Sequence, residues 1–201
     1  MLTAPASAAT VPAIAAFEET FSKVNDYTVT VHAHEVLGDQ TQDRVYQYMY
    51  KKPHLVKTLI VSGPGSGGGG VWNGGDTVSG HQGGILAFIH LRVGIHDSRA
   101  TSLRGYTIPD GLLQNQVGKY TTIKGVLSQR DGPDIGGQAT TLVELKIAPG
   151  AGETGETRAV IYFSKATHLP VAQMRWDGDK LISREFWTDL RLNVGLKDSD
   201  F

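Results

Sequence analysis

The stretch DYTVTVHAH, residues 26–34, decides the fold, because its apolar side chains recur with a period of two. Tyr27, Val29 and Val31 fall on one side of an extended chain, and the residues between them fall on the other. This alternation predicts a β-strand that begins at Asp26 and buries one of its two faces.

The segment before this strand has a different period. Four apolar residues follow Pro12 at spacings of three, four and three, which places them on one face of a helix. They are Ile14, Phe17, Phe21 and Val24. Proline is favoured in the first turn of a helix, so Pro12 suits the start of this one. The sequence therefore predicts a helix that leads directly into the strand.

Further period-two segments follow the first strand. Residues 44–51 alternate, and residues 55–61 are apolar on both faces, which predicts a central strand in a covered sheet. Residues 71–79 have a turn sequence, NGGD, between two short strand patterns and predict a hairpin. The apolar run at 84–89 fits either a strand or a short helix.

The second half of the chain repeats this order. Residues 108–123 have helical spacing after Pro109, and four period-two segments follow at 141–147, 158–164, 171–176 and 181–192. We predict an α+β, mostly β fold with seven or more strands and two or three helices. In this fold a strongly curved antiparallel sheet, an unclosed β-barrel, carries the helices over its concave face. Residues 12–201 form one domain after a flexible segment, 1–11. The interior is either packed solid or holds a cavity.

Charge and composition exclude several classes of function. The formal net charge is −1, so no basic surplus favours nucleic acid as a partner. The chain has no cysteine, which excludes disulfides, thiolate nucleophiles and Cys-ligated zinc. Its apolar runs are shorter than the roughly 20 residues that a membrane-spanning helix requires.

Two motifs have the residue types of a binding site. The glycines of residues 63–70 match the spacing of a dinucleotide fingerprint, but a strand pattern follows where the fingerprint needs a helix. His32 and His34 share one strand face, and two histidines there are more often solvated than metal-bound. Neither motif leads us to predict a cofactor or a metal.

Catalytic residues are not predicted either. His96 and Asp97, with serines nearby, are residue types of a hydrolase triad, but loop polarity explains them more simply. No Gly-x-Ser-x-Gly pattern occurs in the sequence.

The order of these features resembles the LolA/LolB-like superfamily of periplasmic lipoprotein carriers and the outer-membrane lipoprotein-sorting proteins related to them. The likeness covers most of the chain and consists of strand and turn features. They are the helix end at 21–28, the Lys51-Lys52-Pro53 strand end, the 71–78 hairpin followed by Gly83-Gly84, residues 167–171, and the ending 189–201. Because none of these is a catalytic signature, the likeness concerns the fold more than the function.

The resemblance implies an unclosed barrel with helices plugging its mouth and an apolar cavity that shelters acyl chains. It also implies a periplasmic or outer-membrane-associated location and an export signal ahead of the sequence, with membrane association only through a lipid anchor. In the carriers an arginine on an early strand helps hold the lid shut, and Arg44 is the arginine at such a position here.

We therefore expect an extracytoplasmic binding or carrier protein, and not an enzyme, whose ligand is a lipid or a lipoprotein acyl chain. Candidate cavity residues, chosen by aromaticity and period, are Tyr46, Tyr48, Tyr50, Val56, Ile60, Phe88, Leu113, Val117, Phe163 and Trp176. The alternative is an envelope protein-interaction or stress-sensing module with a solid interior. A hydrolase is the third hypothesis.

Overall fold

Eleven antiparallel strands form one sheet in the computed structural model, which describes residues 11–84 and 90–201. Ten of the strands and the two α-helices that lie among them have these bounds: α1 Pro12–Ser22, β1 Asp26–Leu37, β2 Gln40–Lys51, β3 Leu55–Ser62, β4 Gly69–Trp72, β5 Thr77–His81, β6 His90–Gly94, α2 Leu113–Thr122, β7 Gly125–Asp131, β8 Thr140–Ile147, β9 Arg158–Ser164 and β10 Pro170–Asp177. The last strand, β11, spans Lys180–Leu192.

The strand order is β6-β5-β4-β3-β2-β1-β11-β10-β9-β8-β7, and every neighbouring pair is antiparallel. The two halves of the chain therefore meet where β1 pairs with β11. The edge strands β6 and β7 are not paired with each other, so the barrel is unclosed, as predicted.

The period-two pattern of β1 decides which side of the sheet is buried. Tyr27 lies opposite Tyr50 of β2, and Val31 lies between Tyr46 of β2 and Trp187 of β11. Residues directly opposite each other on antiparallel strands share a face, so this row forms one concave surface. The apolar residues of β1 thus show which face of the sheet is concave and buried.

Both helices pack on the concave surface. Ile14, Phe17 and Phe21 of α1 are buried, and the Phe17 ring lies 6.0 Å from that of Phe163 on β9. The backbone N–H of Leu113, the first residue of α2, donates to the Tyr27 hydroxyl at 3.2 Å. This bond satisfies one of the N–H groups that a helix start leaves without a partner. No helix in the described part of the chain is long and apolar enough to cross a membrane.

The second helix is shorter than the sequence pattern predicts. Residues 109–111 form a separate 3₁₀ turn, and Leu112 is extended, so α2 begins only at Leu113. The Asp110 carboxylate explains the interruption, because it accepts hydrogen bonds from the backbone and the hydroxyl of Thr107 at 2.8 and 2.6 Å. These bonds close a local turn that competes with the helix.

Other elements also differ from the prediction. Strand β7 was not expected, and β3 is covered on its concave face only, since Val61 on its other face is 39% exposed. The Asn73–Asp76 turn joins β4 and β5 as the predicted hairpin. The segment 1–10 and the apolar run 85–89 lie outside the described residues.

Candidate functional site

A cavity of about 390 Å³ opens between the concave face of β1–β6 and the segment 98–111. Its volume is within the range of small-molecule sites. Strands β4 and β5 carry Gly69, Gly70 and Gly80 on this wall, so the backbone itself forms part of it. The interior is therefore not packed solid at this end of the sheet.

The register of β1, β2 and β3 decides where the cavity begins. Tyr27, Tyr50 and Val56 form the row that α1 and α2 cover, with Tyr27 in ring contact with Phe21 of α1 at 5.9 Å. The rows beyond it are not filled by helix side chains and line the cavity. They include Val31, Ala33, Glu35, Arg44, Tyr46, Tyr48, Thr58 and Ile60.

Apolar side chains form much of the remaining wall. Val78, Leu91 and Val93 contribute from β5 and β6, and Ile108 contributes from the covering segment. Such a surface binds the apolar part of a ligand by removing it from water. One end of the cavity is instead lined by polar groups.

Two carboxylates lie side by side on the concave face. Glu185 of β11 is opposite Ala33, and Glu35 of β1 is opposite Ser183, so the two glutamates are diagonal neighbours. Both are buried: Glu35 is 5% exposed and Glu185 is 8% exposed. Glu35 Oε2 accepts from the backbone N–H of Arg104 at 3.0 Å. Glu185 Oε2 accepts from Gln116 Nε2 at 3.2 Å.

Gln116 of α2 links Glu185 to a buried arginine. Its Oε1 accepts a hydrogen bond from Arg175 Nη2 of β10, and the Arg175 guanidinium lies 4.9 Å from the centre of the Tyr106 ring. Burial raises the pKa of the Glu185 carboxyl, and the positive charge of Arg175 opposes this shift. The net effect raises the pKa and favours the protonated form of this buried carboxyl.

Sequence reasoning missed this polar cluster, although a signal for part of it was present. The inward period of β1 runs through Tyr27, Val29, Val31 and Ala33 to Glu35. A charged residue at an inward position is unusual because burying a charge is costly. The same pattern on β11 places Glu185 between Ser183 and Trp187.

The segment that covers the cavity is held by polar contacts. Arg104 donates from Nη1 to Val36 O and from Nη2 to Thr154 O. Lys119 Nζ of α2 bridges Asp110 Oδ1 at 3.0 Å and Glu153 Oε2 at 2.6 Å. These bonds tie the covering segment to β1, to α2 and to the 148–157 loop.

Replacing Asp110 by asparagine is expected to lower the free energy of unfolding by about 1 kcal/mol at pH 7. Burial alone raises the pKa of the Asp110 carboxyl, but the hydrogen bond from the Thr107 hydroxyl and the charge of Lys119 hold it below its ordinary value. A depressed carboxyl pKa contributes stability above the unfolded value, roughly pH 4, and this contribution is lost as the pH falls through the folded value.

The difference between wild type and Asp110→Asn should therefore shrink below about pH 4, which urea unfolding at a series of pH values would measure. Asp39→Asn is the matched control, because Asp39 is an exposed aspartate in the β1–β2 turn. A pH-independent difference for Asp110→Asn would show that its charge is not what holds the segment.

The cavity contains four of the residues predicted from the sequence. Tyr46, Tyr48, Ile60 and Arg44 line it. Arg44 Nε donates to Pro64 O at 2.7 Å, and its Nη1 lies 3.4 Å from the Tyr46 hydroxyl. Arg44 thus contacts the glycine loop at the mouth and not a helical lid.

The other predicted residues lie elsewhere. Five belong to the packed core and do not line the cavity: Tyr50, Val56, Leu113, Val117 and Phe163. Trp176 packs in the separate apolar cluster of Leu142, Val160 and Tyr162, with the Arg158 guanidinium 3.9 Å from its ring centre. Phe88 lies outside the described residues. Periodicity assigns a face to each residue, but helix coverage decides which part of that face is free.

The remaining motifs have structural roles. The glycine loop leads into strand β4, and Gly65 lies at the cavity wall. Asp97 pairs with Arg99, whose Nη2 lies 2.7 Å from Asp97 Oδ2, and no serine hydroxyl in the described residues hydrogen-bonds a histidine. His34 Nδ1 lies 2.8 Å from Asp43 Oδ1, and residues 11–84 and 90–201 contain no group of three metal-ligating side chains.

No protein-family model and no curated protein sequence matches this chain. Solved structures do match it over nearly its whole length. The lipoprotein LppX of Mycobacterium tuberculosis is 14% identical with a TM-score of 0.55, and the match covers 94% of this chain and 99% of LppX.

Two further structures are similar. The MucA/MucB complex of Pseudomonas aeruginosa matches at 11% identity with a TM-score of 0.51, over 94% of this chain and 58% of that one, so this chain spans little more than half its length. A LolA superfamily protein of Nitrosomonas europaea matches at 13% identity with a TM-score of 0.45, over 96% of this chain and 98% of that one.

At these identities the likeness shows the fold alone. This chain shares the fold of LppX, and its unclosed antiparallel sheet agrees with the fold class that the sequence predicts.

Proposed function

We propose that this protein binds amphiphilic molecules through an acyl or alkyl chain, as an extracytoplasmic carrier or binding protein. The observation that carries this proposal is the cavity of about 390 Å³ between the concave sheet face and the 98–111 segment. Binding removes the chain from water, which stabilises the complex by roughly 0.8 kcal/mol for each buried methylene. This mechanism needs space and an apolar wall and no catalytic group.

The shape of the wall supports a chain-like ligand. Glycines of β4 and β5 allow the backbone to form part of the surface, while Ile60, Val78 and Val93 supply apolar contact. Tyr46 and Tyr48 add aromatic rings whose centres are 6.0 Å apart. Aromatic rings offer large apolar area with little loss of side-chain freedom.

The extracytoplasmic location is part of the same proposal. Its support is the resemblance in sequence order to periplasmic lipoprotein carriers, together with the fold that this chain shares with the lipoprotein LppX. A cavity for acyl chains suits a protein that shields lipid during its passage through water.

Filling the cavity is the direct test. Ala33→Trp places a large ring on the concave face of β1, beside Glu185 and Arg44 in the sheet register. We expect it to weaken binding at least tenfold, that is by about 1.4 kcal/mol or more, because the ring and the ligand compete for one space. Titration calorimetry with 12-carbon amphiphiles, below their micelle concentrations, would measure the change.

His32→Trp is the matched control. His32 precedes Ala33 on the same strand, but its side chain is exposed on the other face of the sheet. This variant should bind like the wild type. If dodecanoate, monododecanoyl glycerol and dodecylamine all fail to bind the wild type, the carrier proposal is refuted.

A protein-interaction module in the cell envelope is the second candidate. Strand β7 is an edge of the unclosed sheet, and Val126 on it is 69% exposed. An open edge can pair with a strand of another protein. The fold shared with MucB, whose structure in complex with MucA is known, supports this candidate. Failure of all three amphiphiles to bind would make it the leading one.

A further inference from the structure

Glu35 is a buried carboxylate that faces the cavity without a cationic partner. It is 5% exposed, and its hydrogen bond in the described residues comes from the backbone N–H of Arg104 to Oε2. No side-chain nitrogen of a lysine, arginine or histidine among residues 11–84 and 90–201 lies within 4.0 Å of its carboxylate. Buried charges in proteins are ordinarily paired, so this one calls for a partner.

The nearby arginines are engaged elsewhere. The two terminal nitrogens of Arg104 donate to the carbonyls of Val36 and Thr154, and its Nε has no hydrogen-bond partner among the described residues. Arg44 donates to Pro64 O and contacts Tyr46, and Arg175 donates to Gln116. Glu185, the second cavity carboxylate, receives its hydrogen bond from Gln116 and not from an arginine. The acceptor capacity of Glu35 is therefore left for a group that enters the cavity.

Thr58 is a second polar residue of the cavity wall. It lies on β3 opposite Tyr48, lines the same cavity and is 8% exposed. A hydroxyl can both donate and accept, so it suits a ligand group that does the same.

We propose that the cavity selects amphiphiles whose polar group donates hydrogen bonds and carries no negative charge, with Glu35 as the acceptor. Ammonium and hydroxyl groups share this chemistry. A carboxylate or phosphate would instead be disfavoured by repulsion from Glu35. Arg44 and Arg99 also line the cavity, but Arg44 is bonded to Pro64 O and Arg99 is paired with Asp97. This inference rests on the proposed function and names the class of polar group that the ligand carries.

Calorimetric titration of the full chain at pH 7.5 with three probes of equal chain length tests the proposal. Dodecylamine and monododecanoyl glycerol should each bind at least about tenfold more tightly than dodecanoate. The apolar chain is constant, so the ratio of affinities reports on the polar group alone. The ratio of probe affinities measured with the wild type is sufficient for the test, even if a variant does not fold.

Glu35→Gln should reduce the preference for dodecylamine over dodecanoate to near unity, because glutamine keeps an acceptor oxygen but loses the charge. Glu18→Gln is the matched control, an exposed glutamate on α1, and should keep the wild-type ratio. Equal or tighter binding of dodecanoate by the wild type overturns this inference and leaves the carrier function standing. An unchanged ratio in Glu35→Gln overturns the role of Glu35. If no probe binds, both proposals fall.

Discussion

Replacing Phe163 by alanine is expected to lower the free energy of unfolding by about 3–5 kcal/mol. Phe163 is 1% exposed on β9, and its ring lies 6.0 Å from that of Phe17 on α1. The substitution removes apolar contact and leaves a cavity between the sheet and the helix that covers it. Urea unfolding followed by circular dichroism would measure the loss as a lower midpoint with an unchanged slope.

Ile60→Ala is the informative comparison, because Ile60 lines the ligand cavity and is only half-buried. It should cost stability only about 1 kcal/mol, yet weaken amphiphile binding. Phe163→Ala should do the reverse and bind normally once it is folded. A small stability loss for Phe163→Ala together with a loss of binding would place Phe163 in the binding site and contradict its position in the structure.

Replacing Gly80 by alanine is expected to destabilise the protein by about 3 kcal/mol. A Cβ at Gly80 would overlap Gly69 O and lie 2.8 Å from Gly70 Cα on the paired strand β4. Backbone atoms held in a sheet ladder cannot move aside without breaking hydrogen bonds, so strand β5 must shift. Because Gly80 lines the cavity, amphiphile binding should weaken as well.

Gly94→Ala is the matched control. Gly94 lies on the neighbouring strand β6, and a Cβ there would have no atom within 4 Å. Glycine to alanine in an open strand position is expected to change stability by less than about 1 kcal/mol, and in the favourable direction. If thermal unfolding gave equal losses for Gly80→Ala and Gly94→Ala, the close approach of β4 and β5 would not be the cause.

The concave surface of the sheet thus has two regions. One is covered by α1 and α2 and forms the core, where Phe163 contributes to stability. The other lies beyond the Tyr27–Tyr50–Val56 row and is covered by the 98–111 segment and by Gln116 of α2, which leaves the cavity. The two regions meet within β2, so tyrosines that are two positions apart on this strand have different roles. Tyr50 packs in the core, and Tyr46 and Tyr48 line the cavity.

This division explains which site residues were predicted and which were not. Aromaticity and a period of two placed Tyr46, Tyr48, Tyr50 and Phe163 on the concave face, and the structure has all four there. The pattern could not distinguish the covered rows from the open ones. The two carboxylates of the cavity, Glu35 and Glu185, were not predicted, because aromaticity and period do not mark a charged residue at an inward position.

The sequence by itself determined most of the antiparallel strands, the helix that precedes β1 and the buried face of β1. These features follow from local spacing, since a period of two or of 3.6 residues commits each side chain to one side of its element. The hairpin of β4 and β5 could also be predicted from local sequence, because its turn residues are adjacent in the chain.

Only the tertiary structure decided that β1 joins the two halves through β11, and that Glu35 and Glu185 meet although 150 positions of chain separate them. Register between distant strands depends on how whole surfaces pack, and no short segment contains that information. The cavity has the same origin. It is the part of the concave face that the apolar side chains of α1 and α2 do not fill, so its existence depends on helix length and placement and not on the pattern of any one strand.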